Sequence, residues 1–242
     1  MTYEREIIAS ILKLTANGPV QKELVRKDAR VNAQLLDTSL ERLVESGLLN
    51  QHHNLVETSS SQRVSMAVQA VKLGADLEKV CKFLKWTEFE GIAAQTFQAN
   101  RFRVLRNFRF KHSEKRWEID VIGCYEPLIV CVDCKHWQRH LGAATLVKVV
   151  QAQLERTKAF ADSLQSYYQK IRIAEWKTAK IVPLVLSLVP GAFKFHNNVP
   201  IVPVLQLQDF INGLPLEVDS LTYFRKKLVN FEQKLTDYTK VR

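Results

Sequence analysis

The sequence predicts an α/β protein with a mixed-sheet core, preceded by a small α-helical domain. Three observations support this fold class. Before residue 60, apolar residues recur three or four positions apart in three segments. Between residues 86 and 135, one helical segment is followed by three strand-like runs. A long helix and two further apolar strands come next, and this αβββαβ order is typical of an α/β sandwich.

Composition excludes several classes of protein. The 242 residues are 46% hydrophobic and 25% charged, which is ordinary for a globular chain. No apolar run approaches the roughly 18 residues of a membrane span. The early charges Glu4, Arg5 and Glu6 are unlike a secretory signal. We therefore expect a cytoplasmic protein without membrane contact, whose four cysteines are free thiols.

Charge is distributed unevenly along the chain. The formal net charge is +10, yet residues 1–60 carry seven basic and eight acidic side chains. The whole basic excess therefore lies after residue 60. Such an excess favours a polyanionic partner, and it predicts that any nucleic acid is attracted mainly by the later part of the chain.

Residues 1–60 are predicted to form a winged-helix-like domain. Three helices are followed by "ESGLL" and a short strand-turn-strand, an order that resembles a winged helix-turn-helix. The resemblance implies DNA binding through the third helix. That helix carries Asp37, Glu41 and Glu45 against Arg42, so contact with protein is favoured and DNA is the alternative. The helices are expected at 3–15, 20–27 and 32–46.

Two connecting helices are predicted over residues 61–85, after a polar break at 58–61. The remaining residues, 86–242, form the third part of the chain. It opens with a helix for which Thr87 is the expected N-cap and Glu90 its capping-box partner. Phe89 and Phe97 belong to the apolar face of this helix, and Glu90 lies at the edge of that face.

Charged residues interrupt two of the three following strands, which are expected at 102–111, 116–123 and 128–135. The third is nearly all apolar, as a buried central strand should be, but it ends in Asp133 and Lys135. Side chains two apart lie on one face of a strand. Asp120 interrupts the neighbouring strand. Buried charges are costly unless they are paired or bind metal, so both an ion pair at the strand end and a catalytic site are open.

An acid on a helix, an acid on a strand and an Asp-x-Lys at a strand end together suit metal-assisted phosphodiester cleavage. Carboxylates hold hard divalent cations such as Mg²⁺, or Mn²⁺ in its place. The metal polarises the phosphoryl oxygen and acidifies a bound water. A lysine orients that water or neutralises developing negative charge.

The motifs "EIDVIG" and "VCVDCK", with thirteen residues from Asp120 to Asp133, resemble the PD-(D/E)XK restriction-endonuclease-like superfamily. Upstream, "EFEGIAAQTFQANRFRV" resembles the first core helix of its Mrr-like and archaeal resolvase-like branches. The resemblance covers about residues 86–205. It implies a restriction-endonuclease-like core that acts as a Mg²⁺-dependent DNA endonuclease. Its metal ligands would be Glu90, Asp120 and Asp133, and its catalytic lysine Lys135.

Two departures accompany the resemblance. Ile119 stands where the family pattern has proline, and Glu88 and Glu118 are competing acids. Strand alternation would put Glu118 on the same face as Asp120, in a supporting role. Gln151, on the helix after the site, borders its apolar side and would either point back at the site or remain solvated.

DNA is the expected partner, bound by the basic hairpin 101–116 and by the region after Lys135, where Trp137 and Arg139 stand. The alternative for the hairpin is a solvated strand face. Cutting both strands with one site per chain would use two chains, which predicts a homodimer.

The sequence suggests three other functions. Zinc binding by Cys131, Cys134, His136 and His140 is disfavoured, because the ligand pairs stand too close in sequence. A catalytically silent nuclease fold that binds DNA or regulates, and a nuclease acting on RNA, both remain open.

The chain is predicted to end with two more strands and two helices. The second strand, with its prolines, is suited to a sheet edge. The last helix carries a basic cluster from Arg225 to Lys227, which is read as a solvated face. The strands are expected at 181–189 and 199–204, and the helices at 207–213 and 219–239.

Overall fold

The structure is a computed structural model that describes residues 2–76, 79–80, 82–135, 142–187 and 192–228. The chain divides into two compact units, residues 1–92 and 93–242. The division falls within a helix, Trp86–Ala99.

Residues 1–92 contain the three predicted helices and the predicted strand-turn-strand. Two features differ from the prediction. The second helix begins only at Lys22, because Val20 and Gln21 pair with Val56 and Leu55 in a three-stranded antiparallel sheet of order β1-β3-β2. Ser59, in the predicted polar break, caps the next helix in a capping box. The elements are α1 (Thr2–Leu14), β1 (Val20–Gln21), α2 (Lys22–Ala29), α3 (Ala33–Glu45), β2 (Asn50–His52), β3 (Leu55–Glu57), α4 (Ser60–Lys72) and α5 (Trp86–Ala99).

The N-terminus of α5 is not capped as predicted. Thr87 lies inside the first turn, and Glu88 takes the part assigned to Glu90. The Oε2 atom of Glu88 accepts the backbone N–H of Lys85 at 2.7 Å, which satisfies one of the otherwise unpaired donors of a helix start. The predicted apolar face is confirmed, since Phe89 and Phe97 are fully buried.

Residues 93–242 form a mixed sheet covered by helices, which confirms the α/β class. The elements are β4 (Arg103–His112), β5 (Lys115–Tyr125), β6 (Leu128–Lys135), α6 (Ala143–Tyr167), β7 (Thr178–Ser187), β8 (Phe195–His196), β9 (Val199–Pro203), α7 (Leu207–Glu217) and β10 (Phe224–Lys227). Among the described residues the sheet has seven strands, ordered β4-β5-β6-β7-β9-β8, with β10 also paired to β7. The β4-β5-β6 ladder is antiparallel, whereas β6-β7 and β7-β9 are parallel.

The core of this unit lies between the sheet and α6. Phe160 of α6 makes edge-to-face ring contacts with Phe108 and Phe110 of β4, at centroid distances of 5.7 and 5.4 Å. Such aromatic pairs contribute about 1 kcal/mol each beyond the area that they bury. On β5, a Cβ atom at Gly123 would lie 2.7 Å from the Phe97 ring. Glycine at this position therefore leaves room for the Phe97 ring to pack directly on the strand.

Two predictions near the end of the chain are wrong. Residues 224–227 form strand β10, antiparallel to β7, where a helix was expected over 219–239. Phe224 packs on the sheet core, and the ammonium of Lys226 lies 2.7 Å from Asp162 of α6, so both residues have partners that a strand provides. The rest of the predicted helix lies outside the described residues. Strand β9 is flanked by β7 and β8, so it is not an edge.

Candidate active site

Asp133 and Lys135 lie at the carboxyl end of β6, the strand that pairs with β5 on one side and β7 on the other. Asp133 is 3% exposed. The Lys135 ammonium is 2.9 Å from Asp133 Oδ2, and the lysine side chain is 26% exposed. The predicted ion pair at the strand end is therefore present, and the shared face follows from the two-residue spacing.

A second cation reaches the same carboxylate from α6. Nη1 of Arg156 lies 2.6 Å from Asp133 Oδ1 and 2.7 Å from Oε1 of Gln153. Gln153 is fully buried and donates its amide N–H to the backbone carbonyl of Cys131, at 2.6 Å. Residues three apart on a helix share a face. The pair Gln153 and Arg156 therefore fixes α6 to β6 while neutralising Asp133.

Sequence reasoning missed Gln153 and Arg156. A signal was present, because Gln153 occupies a buried helical position in the series Leu146, Val150, Gln153 and Thr157. Gln151, the glutamine considered instead, is exposed and bonds Glu155 at 3.0 Å. Of the two alternatives for Gln151, pointing at the site or remaining solvated, the structure shows the solvated one.

Asp120 stands where the ladder between β5 and β6 stops. The pairing runs from Tyr125–Leu128 to Val121–Val132, and Asp120 is the next residue. Its Oδ2 atom accepts the backbone N–H of Cys134 at 2.7 Å. The carboxylate thus takes the place of a backbone acceptor, one residue along β6 from Asp133.

Strict alternation fails at Asp120. The residues of β5 that face the core are Ile119 and then Ile122, three positions apart. On β4, Asn107 has a left-handed backbone with φ of 50°. Alternation therefore does not support a common face for Glu118 and Asp120. Glu118 is instead paired with Arg109, at 2.8 Å.

Glu88 and Glu90 belong to the other unit, residues 1–92. Glu88 is 2% exposed and accepts the Nε–H of Arg63 at 2.7 Å. The Arg63 guanidinium also donates to the Leu12 carbonyl at 2.7 Å and to Thr15 Oγ1 at 2.9 Å. These contacts give Glu88 a structural role. Glu90 is buried on α5, and its assignment as a metal ligand stays a prediction.

The donor chemistry fits a hard cation. Within the described ranges, no group of three or more His, Cys, Asp and Glu side chains could hold a metal ion. Mg²⁺, however, is commonly held by one or two carboxylates, with water and phosphate completing its octahedron. Asp120 and Asp133 offer two such carboxylates near one strand end. A cation at Asp133 would have to compete with Lys135 and Arg156, which already contact both of its oxygens.

Cys124, Cys131 and Cys134 are buried free thiols. Burial raises the pKa of Cys131 well above its usual range and that of Cys124 to about 12. Zinc binds the thiolate form, which burial of this kind disfavours. His136 and His140, and with them Trp137 and Arg139, lie outside the described residues.

The hairpin of β4 and β5 carries a basic surface. Lys111 and Arg116 are directly opposite in the ladder, an arrangement of like charges that destabilises a strand pair. Arg109 pairs with Glu118 and Lys111 with Glu114, and all four side chains are exposed. A cavity of about 670 Å³ opens here. Its lining consists of Arg109, Phe110, Lys111, Arg116, Trp117, Glu118, Tyr167 and Lys170.

Comparisons with known proteins give distant similarities. No protein-family model matches the chain. An uncharacterised protein of Archaeoglobus fulgidus is 29% identical over 131 residues, which are 54% of this chain and 92% of that protein. Two solved structures are similar over most of the chain. The protein VC1899 from Vibrio cholerae has a TM-score of 0.39 and 14% identity, over 90% of this chain and 52% of its own.

The other structure is Can2 from Sulfobacillus thermosulfidooxidans, solved in complex with cyclic tetra-adenylate. Its TM-score is 0.30 and its identity 12%, over 87% of this chain and 50% of its own. The chain thus spans about half the length of both structures. At these scores, the chemistry of the residues has to carry any functional argument. No helix in the described part of the chain is long and apolar enough to span a membrane.

Proposed function

We propose that residues 86–242 form a restriction-endonuclease-like domain that hydrolyses DNA phosphodiester bonds with Mg²⁺ or Mn²⁺. One observation carries the proposal. A buried acid and a lysine end the central strand, and the carboxylate of Asp120 bonds the strand between them. Burying Asp133 with two partly exposed cations is costly in a purely structural role, because such pairs are often no more stable than apolar packing.

Asp120 and Asp133 would hold the metal. When bound, the metal would polarise a phosphoryl oxygen and lower the pKa of a coordinated water. Lys135, fixed by its contact with Asp133, would place its ammonium beside the phosphate and offset developing negative charge. Glu90 keeps its role as a further acid from the family resemblance alone.

DNA contact is assigned to the hairpin surface of Arg109, Lys111 and Arg116. The cross-strand repulsion between Lys111 and Arg116 would be relieved by a phosphate between them. Glutamine substitutions at Arg109 and Lys111 should reduce the slope of log affinity against log salt by about 2. The same change at Lys158 and Lys194, two exposed lysines outside the hairpin and its cavity, provides the charge-matched control. An unchanged slope in the hairpin variant would assign DNA contact elsewhere.

Cleavage tests the main proposal. Plasmid and branched DNA are incubated with the whole chain and Mg²⁺, Mn²⁺ or a chelator. The proposal expects metal-dependent cleavage that Asp133→Asn and Lys135→Gln each reduce at least about a hundredfold. Asp162→Asn, which also removes a carboxylate that pairs with cations, is the matched control and should cut normally. Equal cleavage by all the variants would refute the assignment of the site.

A silent nuclease fold is the second candidate, and one observation favours it. Both oxygens of Asp133 already have cationic partners, so the carboxylate needs no metal. This candidate expects DNA binding without cleavage in either metal. Asp133→Asn would then leave the affinity for DNA unchanged.

The winged-helix-like unit is assigned to protein contact and the whole chain to a homodimer. Leu35 and Val44 of α3 are exposed apolar residues, while Asp37 of the same helix pairs with Lys22 at 3.0 Å. An acidic helix with apolar surface suits a protein partner better than a phosphate backbone.

Sedimentation velocity should show a dimer that Leu35→Glu weakens, whereas a monomer at all concentrations would rule the dimer out.

A further inference from the structure

The guanidinium of Arg156 is the feature of the site that neither the strand motif nor the proposed chemistry accounts for. It contacts Asp133 Oδ1 at 2.6 Å, the shortest contact that this carboxylate makes. The same guanidinium donates to Oε1 of Gln153, and Gln153 in turn donates to the Cys131 carbonyl. Gln153 is fully buried, so this support is part of the core rather than of the surface.

We propose that Arg156 is an internal counter-cation for Asp133, which a divalent metal has to displace and which then becomes available to the phosphate of the substrate. The inference rests on the proposed function, because it assigns regulation to the same site. While it contacts Asp133, the charge of Arg156 sets how tightly the free protein holds metal; after displacement, the same guanidinium contacts the substrate phosphate.

Charge counting supports this order of events. Asp133 brings one negative charge, while Lys135 and Arg156 bring two positive charges within 3 Å of it. Asp120 brings the formal charge of this cluster to zero, so a dication meets a neutral site that offers it no net attraction while both cations remain in place. A phosphodiester would add the missing negative charge. Arg156 is suited to follow it, because a guanidinium binds carboxylate and phosphate through the same planar fork.

The exposure of the side chains permits the exchange. Arg156 is 21% exposed at its side chain and Asp133 is 4% exposed, so the cation has a route to solvent and the carboxylate does not. Metal and phosphate should then bind cooperatively. Each would raise the affinity for the other by the same factor, as linkage requires.

Direct metal binding tests the proposal without any need for catalysis. Mn²⁺ is titrated into the whole chain, free of nucleic acid, and bound metal is followed by paramagnetic resonance. Arg156→Gln should bind Mn²⁺ at least tenfold more tightly than wild type. Arg156→Lys keeps the charge and should stay within about threefold of wild type. Lys158→Gln removes one charge two residues along the same helix and serves as the control for net charge.

Asp133→Asn distinguishes failure of the metal site from failure of the counter-cation role. If its loss of binding is large in both the wild-type and the Arg156→Gln backgrounds, Asp133 is a metal ligand and the proposed function stands. If Asp133 is a metal ligand by this test but wild type and Arg156→Gln bind Mn²⁺ with equal affinity, only the counter-cation role is overturned. If Asp133→Asn changes nothing in either background, Asp133 holds no metal and both proposals fail.

A thermal denaturation curve of each variant guards against misfolding. Arg156→Lys then acts as the conservative rescue. If Arg156 is merely structural, the metal affinity is the same in all folded variants. If it is a counter-cation, the metal affinity rises in Arg156→Gln, which loses the charge, and stays near wild type in Arg156→Lys, which keeps it.

Discussion

The described part of each unit includes a buried carboxylate paired with an arginine, and the two pairs differ in their surroundings. Glu88 and Arg63 are 2% and 3% exposed at their side chains, and the arginine also donates to Leu12 and Thr15. Asp133 is equally buried, but its partners Lys135 and Arg156 are 26% and 21% exposed.

The two pairs differ in what the cation would lose on leaving its carboxylate. Arg63 also donates to the carbonyls of Leu12 and Phe83, so leaving Glu88 would strain those hydrogen bonds as well. Lys135 and Arg156 are partly exposed, so water could replace Asp133 as their partner, as the counter-cation proposal requires. Under that proposal, the exposure of the partners says more about the role of a buried acid than its own depth of burial.

The largest effect on stability is expected at Arg63. Arg63→Met leaves the Glu88 carboxylate buried with the Lys85 N–H as its remaining described donor, and should lower the free energy of unfolding by about 3–5 kcal/mol. Urea denaturation measures the loss, and amide exchange assigns it to residues 1–92. Arg42→Met, at an exposed arginine of α3, is the control. A loss below about 1 kcal/mol would remove the contrast between the two pairs.

A smaller loss is expected at Gln153. Gln153→Leu removes the donor to the Cys131 carbonyl and should cost about 1–3 kcal/mol, the penalty for an unsatisfied buried acceptor. Gln151→Leu, two residues earlier on the exposed side, should stay within about 0.5 kcal/mol. Equal effects of both substitutions in urea denaturation would show that the buried amide contributes nothing particular.

Arg156 should matter still less for folding. In Arg156→Gln the Lys135 ammonium stays on Asp133, and a partly exposed pair contributes about 1 kcal/mol or less. The comparison with Arg63→Met under the same conditions is the measurement. A loss of about 3 kcal/mol or more would place Asp133 among the structural acids, beside Glu88.

The smallest effect belongs to an exposed pair in residues 1–92. The hydrogen bond from Lys13 holds the pKa of Asp28 below its usual range, helped by Ser10 and opposed by partial burial. This contribution is complete above the unfolded-state pKa of Asp28 and is lost as pH falls through the lower, folded-state value. Lys13→Met should remove about 0.5 kcal/mol of stability at neutral pH. The difference from wild type should vanish in acid, and a constant difference from pH 6 to about pH 2 would contradict the linkage.

Local patterns explain which parts of the fold were predictable. The β4–β6 strands and α5 follow from runs whose apolar period is unambiguous, and the Asp133–Lys135 pair follows from strand geometry. The helix prediction failed for residues 219–228, because the spacing of Leu221, Phe224 and Leu228 fits a helix as well as a short strand. Only the ladder with β7 decides between them.

The residues of the candidate site that lie on strands were predictable from the sequence, whereas those on α6 were not. Arg156 stands 23 residues after its partner Asp133, and nothing local links an arginine on α6 to that acid. Gln153 was in principle visible as a polar residue in an apolar helical series. Asp120 was found as an acid, but its bond to the Cys134 amide depends on a ladder that ends there, which alternation rules do not foresee.

That last contact gives the protein a reporter of its own. The Cys134 amide proton is protected by a carboxylate rather than by a backbone carbonyl. Any cation that draws electron density from Asp120 weakens the bond and speeds the exchange of this one proton with deuterium, while the amides of β6 that precede it keep their rates. Deuterium uptake at a single position would thus reveal occupancy of the strand end without substrate, cleavage or mutation.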